Sequence, residues 1–480
     1  MSSHVIINPS STHSSHVSQA SSASHSSPAS PVSPLIITPY GEMPYVNADF
    51  TASGIPYNPI ESFINNKILP WYANTHSNAH NGQLMSHYIN QSKDIIRRSV
   101  GAKPCDKVIF TGNGCSGAII HLIHNLDLKE NIKGSLKTVV FISVAEHHSN
   151  YLPWIHLPIQ LVVIPMDAHG KINIIHLKKE LDKYKKHPIV GCFIAGSNVT
   201  GVIQPIKEIS ILIHDYNGLV FWDYAGCAPY VRINMHAGPK EYFDGIMISP
   251  HKFLGGPGTP GILISNCDTF KNKEPFCPGG GTVRFVCKKY THYNENIEIR
   301  ETGGTPNIIG CIKAGLVFQL KDKHLNNIIS RNKAINKRVR KGLTGVVELI
   351  TPDSNEIPIY SFRIKGLHYN FIVALLNDLY GIQSRGGVSC CSLYAQQLLK
   401  VKPDSIHHQI ESNKGVPGDY GWCRVTFHYT MSNRTVDFIL QAIKKIASDG
   451  SEYLNEYEYI PEKNNWEHKK FKMNFPDLNL

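Results

Sequence analysis

From about residue 100 the chain carries short runs of consecutive apolar residues: Val108–Phe110, Val139–Ile142, Leu161–Ile164, Ile189–Ile194, Leu219–Trp222 and Ile246–Ile248. The runs are continuous rather than alternating, which is the pattern of strands covered on both faces. Helical spacing of apolar residues fills several gaps between them, at 118–126, 174–186 and 205–216. Strand and helix in turn predict an α/β fold with a mostly parallel sheet between helices. Beyond residue 308 the texture changes. A long helical stretch covers 308–342, and strand candidates follow at 346–350, 358–364 and 422–428 as part of a smaller α+β unit.

This texture divides the chain into a tail, 1–36, a large domain, 37–320, a small C-terminal α+β domain, 321–450, and an extension, 451–480. Segment 37–100 is expected to pack near the active site. Residues 1–33 are rich in Ser, His and Ala and hold no Lys, Arg, Asp or Glu. Such a composition buries too little apolar surface to offset its ordering entropy, so the tail is expected to be disordered. The extension is polar and aromatic and shows no clear period.

Composition narrows the function classes. The net charge is +11, which favours acidic partners such as phosphorylated ligands. The basic cluster Arg331, Lys333, Lys337, Arg338, Arg340 and Lys341 has the spacing of a solvated helix face. No zinc-finger, RNA-recognition or basic-zipper pattern is present, so no nucleic-acid partner is expected. The 11 cysteines include no CxxC pair, so no metal site is expected. Several cysteines sit inside apolar runs as small hydrophobes. The start lacks an apolar signal core, and no apolar run could span a bilayer. A cytoplasmic protein with no membrane partner is therefore expected.

Five places carry candidate chemistry. Lys252, in Ser249-Pro250-His251-Lys252-Phe253-Leu254-Gly255-Gly256, follows the apolar run Ile246–Ile248. Open α/β sheets bind ligands at the carboxyl ends of their strands. A lysine there loses hydration and can attack an aldehyde. Asp223 ends another run, where a buried carboxylate needs a cationic partner such as a protonated pyridine nitrogen. Thr111-Gly112-Asn113-Gly114-Cys115-Ser116-Gly117 leads into a helix. It offers close backbone approach and free N–H groups, and lacks both the P-loop lysine and the dinucleotide spacing, so it suits a single phosphate. Glu146-His147-His148-Ser149-Asn150 places histidines after a strand, where one could stack on a ring or carry a proton. Arg385-Gly386-Gly387-Val388-Ser389-Cys390-Cys391 sets thiols in a glycine turn near an arginine, a setting for a reactive cysteine.

Taken in order, these motifs resemble the class V aminotransferase family, on its cysteine desulfurase and selenocysteine lyase branch. The similarity covers about residues 43–445 and begins with Tyr45-Val46-Asn47-Ala48-Asp49-Phe50-Thr51-Ala52-Ser53 and Tyr72-Ala73-Asn74-Thr75-His76-Ser77. It implies the pyridoxal-5′-phosphate (PLP) transferase fold of type I, with a seven-stranded sheet. It also implies that Lys252 carries PLP as a Schiff base, with His147 on the ring, Asp223 at its nitrogen and Asn198 at its phenolic oxygen. Ser249, His251, Gly114, Cys115 and Ser116 would form the phosphate cradle. Thr305 would reach the phosphate from a second subunit, implying a homodimer. Arg424 would clamp the substrate carboxylate, and Cys390 would accept sulfur. The implied substrate is L-cysteine, and the implied partner an unidentified protein sulfur acceptor. Alternatives are a transamination or β-elimination without Cys390, or a non-catalytic scaffold. The chain departs from the family pattern at Gly226, where desulfurases carry glutamine, at Val388-Ser389, at Cys391, and at the apparent insertion 403–420.

Overall fold

The computed structural model describes residues 34–128, 136–412 and 415–478. Residues 1–33, expected to be disordered, lie outside the described residues.

The apolar runs form a seven-stranded sheet. Its strands are β1 (Lys107–Thr111), β2 (Val139–Ser143), β3 (Gln160–Ile164), β4 (Ile189–Ile194), β5 (Leu219–Asp223), β6 (Gly245–Ile248) and β7 (Gly261–Ser265). Across the sheet they lie in the order β1-β7-β6-β5-β4-β2-β3. Six strands are parallel, and β7 runs antiparallel to β1 and β6. The run Gly261–Ser265 was not among those read as strands, because a Gly-Gly-Pro-Gly turn precedes it. Residues of β2 and β4 through β7 are almost all buried, as their unbroken apolar character requires.

Helices cover both faces: α1 (His80–Ser99), α2 (Gly114–Leu126), α3 (Ile174–Tyr184) and α4 (Ile206–Asp215) among them. The long helical stretch is one helix of 36 residues, α5 (Ile308–Leu343). Its first turn is capped by Asn307, whose side chain accepts the Gly310 N–H at 2.9 Å. Ile308, Val317 and Ile328 pack into the large core, whereas Ile335, Val339 and Leu343 pack into a second one.

That second core belongs to the α+β unit. Strands β8 (Glu348–Leu349), β9 (Ile359–Arg363), β10 (Arg385–Gly387) and β11 (Trp422–Thr426) form an antiparallel sheet in the order β8-β9-β11-β10. Helices α6 (Tyr369–Tyr380) and α7 (Asn433–Asp449) cover it. The N-terminal segment joins this unit. Val46 and Asn47 pair in parallel with Ile382 and Gln383, and Ala48 and Phe50 are buried in the second core. Asp49, between those two, is left to the other side.

The basic cluster on α5 is only partly a solvated face. Lys333, Lys337 and Lys341 are exposed. Arg331 bonds Asn433 and the Met431 carbonyl, Arg338 grips Asp437 at 2.6 and 2.5 Å, and Arg340 bonds the Thr351 and Pro352 carbonyls. The planar guanidinium suits such multiple contacts, and the lysines have no equivalent. The extension forms a hairpin, Tyr457–Ile460 with Asn465–His468, whose Trp466 ring lies 4.8 Å from Phe371. Among the described residues no helix is long and apolar enough to cross a membrane.

Candidate active site

The carboxyl ends of β1, β2, β4, β5 and β6 all open on one cavity of about 230 Å³. Lys252 reaches it from the short turn after β6, and Asp223 from the last position of β5. Asp223 is buried, and its Oδ1 accepts the Ala225 N–H at 2.7 Å. Burial raises its carboxyl pKa, while the Ala225 N–H and the Lys252 charge pull it back. The same burial depresses the Lys252 amine, against the opposing pull of Cys115 and Asp223. The cavity therefore holds an amine that yields its proton more readily than a surface lysine.

The glycine turn after β1 brings its backbone against the turn after β6. The Cys115 N–H donates to Ser249 Oγ at 2.8 Å, and Ser116 Oγ lies 2.5 Å from Ser149 Oγ. Gly114 has φ +56°, and a Cβ there would sit 2.8 Å from Ser249 Oγ and 3.5 Å from the His251 ring. Glycine is needed both for the left-handed backbone and for that approach. Asn113, Ser116, Ser249 and His251, with the N-terminus of α2, form a cradle without an acidic group. His251 is neutral, its pKa pushed down to about 4 by burial and by Lys252. His147 is likewise pushed down to about 4, by burial and by the charges of Lys252, His148, Arg424 and Arg385. Its Nδ1 accepts the Ser149 N–H at 3.2 Å, which fixes the ring at the cavity wall.

The α+β unit closes the other side. Cys390 is exposed at the cavity, and both Ser389 and Cys390 are in the left-handed region, at φ +55° and +57°. Two successive non-glycine residues in that region are strained and persist only where surroundings hold them. The Cys390 carbonyl accepts the His148 N–H at 2.8 Å, the Ser389 carbonyl accepts Asn198 Nδ2 at 2.9 Å, and Ser389 Oγ accepts the Trp422 indole N–H at 3.1 Å. Cys391 is buried instead. Its thiol donates to Asn198 Oδ1 at 3.2 Å, and burial pushes its pKa up to about 12. The two neighbouring thiols are thus one accessible and one inert. Asn198 is tied at both ends of its amide to this turn, and its own carbonyl accepts Arg424 Nη1 at 3.1 Å.

Arg424 is buried on β11 and stands directly across from Arg385 on β10. Asp49 bridges them: its Oδ1 accepts Arg424 Nη2 at 2.7 Å and its Oδ2 accepts Arg385 Nε at 3.0 Å. Arg424 Nε is buried and has no hydrogen-bond partner among the described residues. In the sequence Asp49 stands within the opening motif Tyr45-Val46-Asn47-Ala48-Asp49. Its signal was a carboxylate between two apolar positions, Ala48 and Phe50, but nothing in the sequence named its partners. Glu146 was also given no role. It is buried behind His147, where it accepts Ser143 Oγ, the Ile194 N–H and Asn150 Nδ2, and burial lifts its pKa to about 7.

Gly226 lines the cavity, and a Cβ there would lie 2.7 Å from the Gly196 carbonyl oxygen, so the backbone leaves no room for a side chain. Thr305 is not at this cavity. It is exposed, and its Oγ1 accepts Asn74 Nδ2 at 2.8 Å. Among the described residues no group of acidic, His and Cys side chains could hold a metal ion. The donor set fits PLP: a lysine for the aldehyde, a buried carboxylate for the ring nitrogen, a neutral imidazole for the ring face, and an acid-free cradle with a glycine opening for the phosphate.

The model of the class-V aminotransferase family matches residues 58–439. A probable cysteine desulfurase of Pyrococcus abyssi is 25% identical over 420 residues, 83% of this chain and 93% of its own length. A cysteine desulfurase of Wigglesworthia glossinidia brevipalpis is 27% identical over 329 residues, covering 66% of this chain and 77% of that protein. Among solved structures, the apo cysteine desulfurase of Thermococcus onnurineus NA1 superposes with a TM-score of 0.71 at 24% identity, covering 84% of this chain and 94% of that one. A cysteine desulfurase of Escherichia coli gives 0.67 at 18% identity, over 83% and 94%. These superpositions establish the type I fold.

Proposed function

The chain belongs to the class-V aminotransferase family, and from that premise we propose that it is a PLP-dependent cysteine desulfurase. It converts L-cysteine to alanine and leaves the sulfur as a persulfide on Cys390. The observation that carries this reading is that Lys252 and Cys390, 138 positions apart in the sequence, line the same cavity. A transaminase needs the first residue and has no use for the second.

Lys252, Asp223, His147, Asn198, Ser249, His251 and the Gly114-Cys115-Ser116 turn would hold PLP, which when bound supplies an aldehyde for the substrate amine and an electron-withdrawing ring beside its Cα. The Asp223 carboxylate supplies the negative charge that keeps a ring nitrogen protonated. The neutral His147 ring can lie flat on an aromatic face without adding a second positive charge beside Lys252. The depressed Lys252 amine suits a base that takes and returns the proton at the substrate Cα. Arg424, carried with Arg385 on Asp49, binds the substrate carboxylate. The Cys390 thiolate forms a bond to the substrate sulfur as the substrate Cβ–S bond breaks. That bond's electron pair stays with carbon, which gains a proton and leaves as alanine. The exposure of Cys390 supports onward transfer of its sulfur to a thiol of an acceptor protein.

The proposal extends to a homodimer in which Thr305 serves the partner's phosphate cradle, and to a cytoplasmic setting; all eleven cysteines are free. The domain boundaries near residues 37, 321 and 450 are part of the same reading. The test is direct. Purified protein supplied with PLP and L-cysteine should release alanine with equal sulfide in the presence of a reducing thiol. Cys390→Ser should stop this. Alanine formed at the wild-type rate by Cys390→Ser would overturn the reading in favour of chemistry that bypasses the thiol.

A further inference from the structure

Strands β1 and β7 pair in antiparallel register, from Gly261 opposite Thr111 to Ser265 opposite Lys107. Two positions further along each chain stand Cys105 and Cys267. The register therefore directs two cysteines towards each other at one edge of the sheet. Residues facing each other across an antiparallel pair have Cβ atoms about 4.5–5.5 Å apart, close to the span of a disulfide. Both chains leave the ladder at this point. The Asp106 N–H turns back to the Lys103 carbonyl at 3.0 Å, and the Asn266 N–H bonds the Asp244 carbonyl at 3.0 Å, on the β6 side. Cys267 then opens the short turn Cys267–Thr269. Cys105 is exposed and Cys267 half-buried, whereas six of the eleven cysteines are buried. The Cys267 thiol donates to Asp268 Oδ1 at 3.6 Å. Burial, Asp268 and Cys105 hold its pKa above the usual thiol value and Lys107 opposes them, so Cys267 feels the charge of Cys105. Cys105 opens on a separate cavity of about 630 Å³, with Lys103 and Lys271 in its wall, which admits a small anionic molecule. The pair precedes the amino end of β1, whereas the catalytic cavity lies beyond the carboxyl end of that strand.

We propose that Cys105 and Cys267 form a thiol–disulfide exchange site, which a low-molecular-weight disulfide bearing carboxylates converts to an intramolecular disulfide. The exposed Cys105 thiolate attacks one sulfur of the incoming disulfide. A mixed S–S bond forms as the old one breaks, and the leaving thiolate takes up the proton that Cys105 has lost. The Cys267 thiolate then attacks the Cys105 sulfur, and the second small thiol departs with the Cys267 proton. Two protein thiols are oxidised, and one small disulfide is reduced to two thiols. Asp268 disfavours the Cys267 thiolate, which makes Cys267 the second partner to react. The bond closes the long loop from 105 to 267 and ties the edge strand β1 to β7, which restricts the unfolded chain. The inference does not depend on the desulfurase reading.

The test treats the folded full-length chain with oxidised glutathione, blocks the remaining thiols by alkylation, and maps the unreduced digest by mass spectrometry. Wild type should yield the peptide of Cys105 linked to that of Cys267, and dithiothreitol should separate them. Oxidation should also raise the melting temperature by about 3–5 °C, a rise absent from Cys267→Ser. In Cys267→Ser the first step has no sequel, so Cys105 should keep a glutathione adduct. Cys105→Ser should give no linked peptide. Wild type that keeps only glutathione on Cys105 and forms no link would overturn the inference. So would a link from either residue to Cys277 or Cys287 in its place, or a 105–267 link that forms only in urea, because the native register would then not be the cause.

Discussion

The two halves of the cavity are assembled by different means. The first half is a set of strand ends: Lys252, Asp223, His147 and the glycine turn each follow a buried strand, and the sheet aligns them. Its local sequence carries its meaning, because each group sits where a parallel sheet places ligands. The other half is assembled across the chain. Asp49 comes from the N-terminal segment, Arg385 and Arg424 from paired strands, and Cys390 from a strained turn braced by His148 and Asn198. The comparison teaches that one half is placed by topology, whereas the other is placed by side-chain contacts made across the chain.

The largest effect should come from the first half. Lys252→Ala should lower turnover by about a thousandfold or more, the upper range for loss of a general base, measured as alanine formation from L-cysteine. It should leave the melting temperature of the cofactor-free protein near that of wild type, because among the described residues the amine makes no hydrogen bond. Next, Cys390→Ser should lower sulfide release by about a hundredfold or more, while Cys391→Ser should retain most of it. Equal losses in the two variants would break the contrast between an accessible and an inert thiol. Third, Arg424→Lys should raise KM by roughly ten- to a hundredfold with a smaller change in kcat, since lysine cannot reproduce the contacts to Asp49 and Asn198. A kcat effect alone would place Arg424 outside substrate binding.

A smaller effect is expected from Gly226→Ala. The added Cβ meets the Gly196 carbonyl, and the strain should cost about 1–3 kcal/mol, read by denaturant titration.

Acid should also separate the halves. His428 is buried in the α+β unit with its ring stacked on Phe50, and its pKa is pushed down to about 3 by burial. His147 and His251, at the ends of the central strands, are pushed down to about 4. Each unfolded histidine binds a proton near its ordinary pKa of 6.5 and the folded one does not. Their contributions to stability are therefore full above pH 6.5 and are lost as pH falls towards 4 and 3. Glu146 works in the opposite sense: its carboxyl, raised to about 7, binds its proton in the folded state first and gains stability between pH 7 and 4.5. The three depressed histidines together should make the melting temperature fall between pH 7 and 5. His428→Phe should flatten that fall.

The sequence was legible where a signal was local. Six of the seven central strands follow from unbroken apolar runs, and the α5 boundaries, about 308–342 expected and 308–343 observed, follow from helical period. Strand β7 escaped because its neighbours are turn residues, and its place is fixed by pairing with β1 and β6. The terminal hairpin escaped because its stability comes from Trp466 against Phe371 rather than from its own pattern. The Asp49 bridge was illegible for a similar reason. No spacing in the sequence announces that residues 49, 385 and 424 meet, and a carboxylate in an opening segment reads as well as solvent-facing.

Helix α5, about 54 Å long at 1.5 Å per residue, roots one end in each hydrophobic core. A rod shared in this way leaves no seam at which the two units could come apart, so thermal denaturation should be a single cooperative event, and damage to either core should lower the melting point of both.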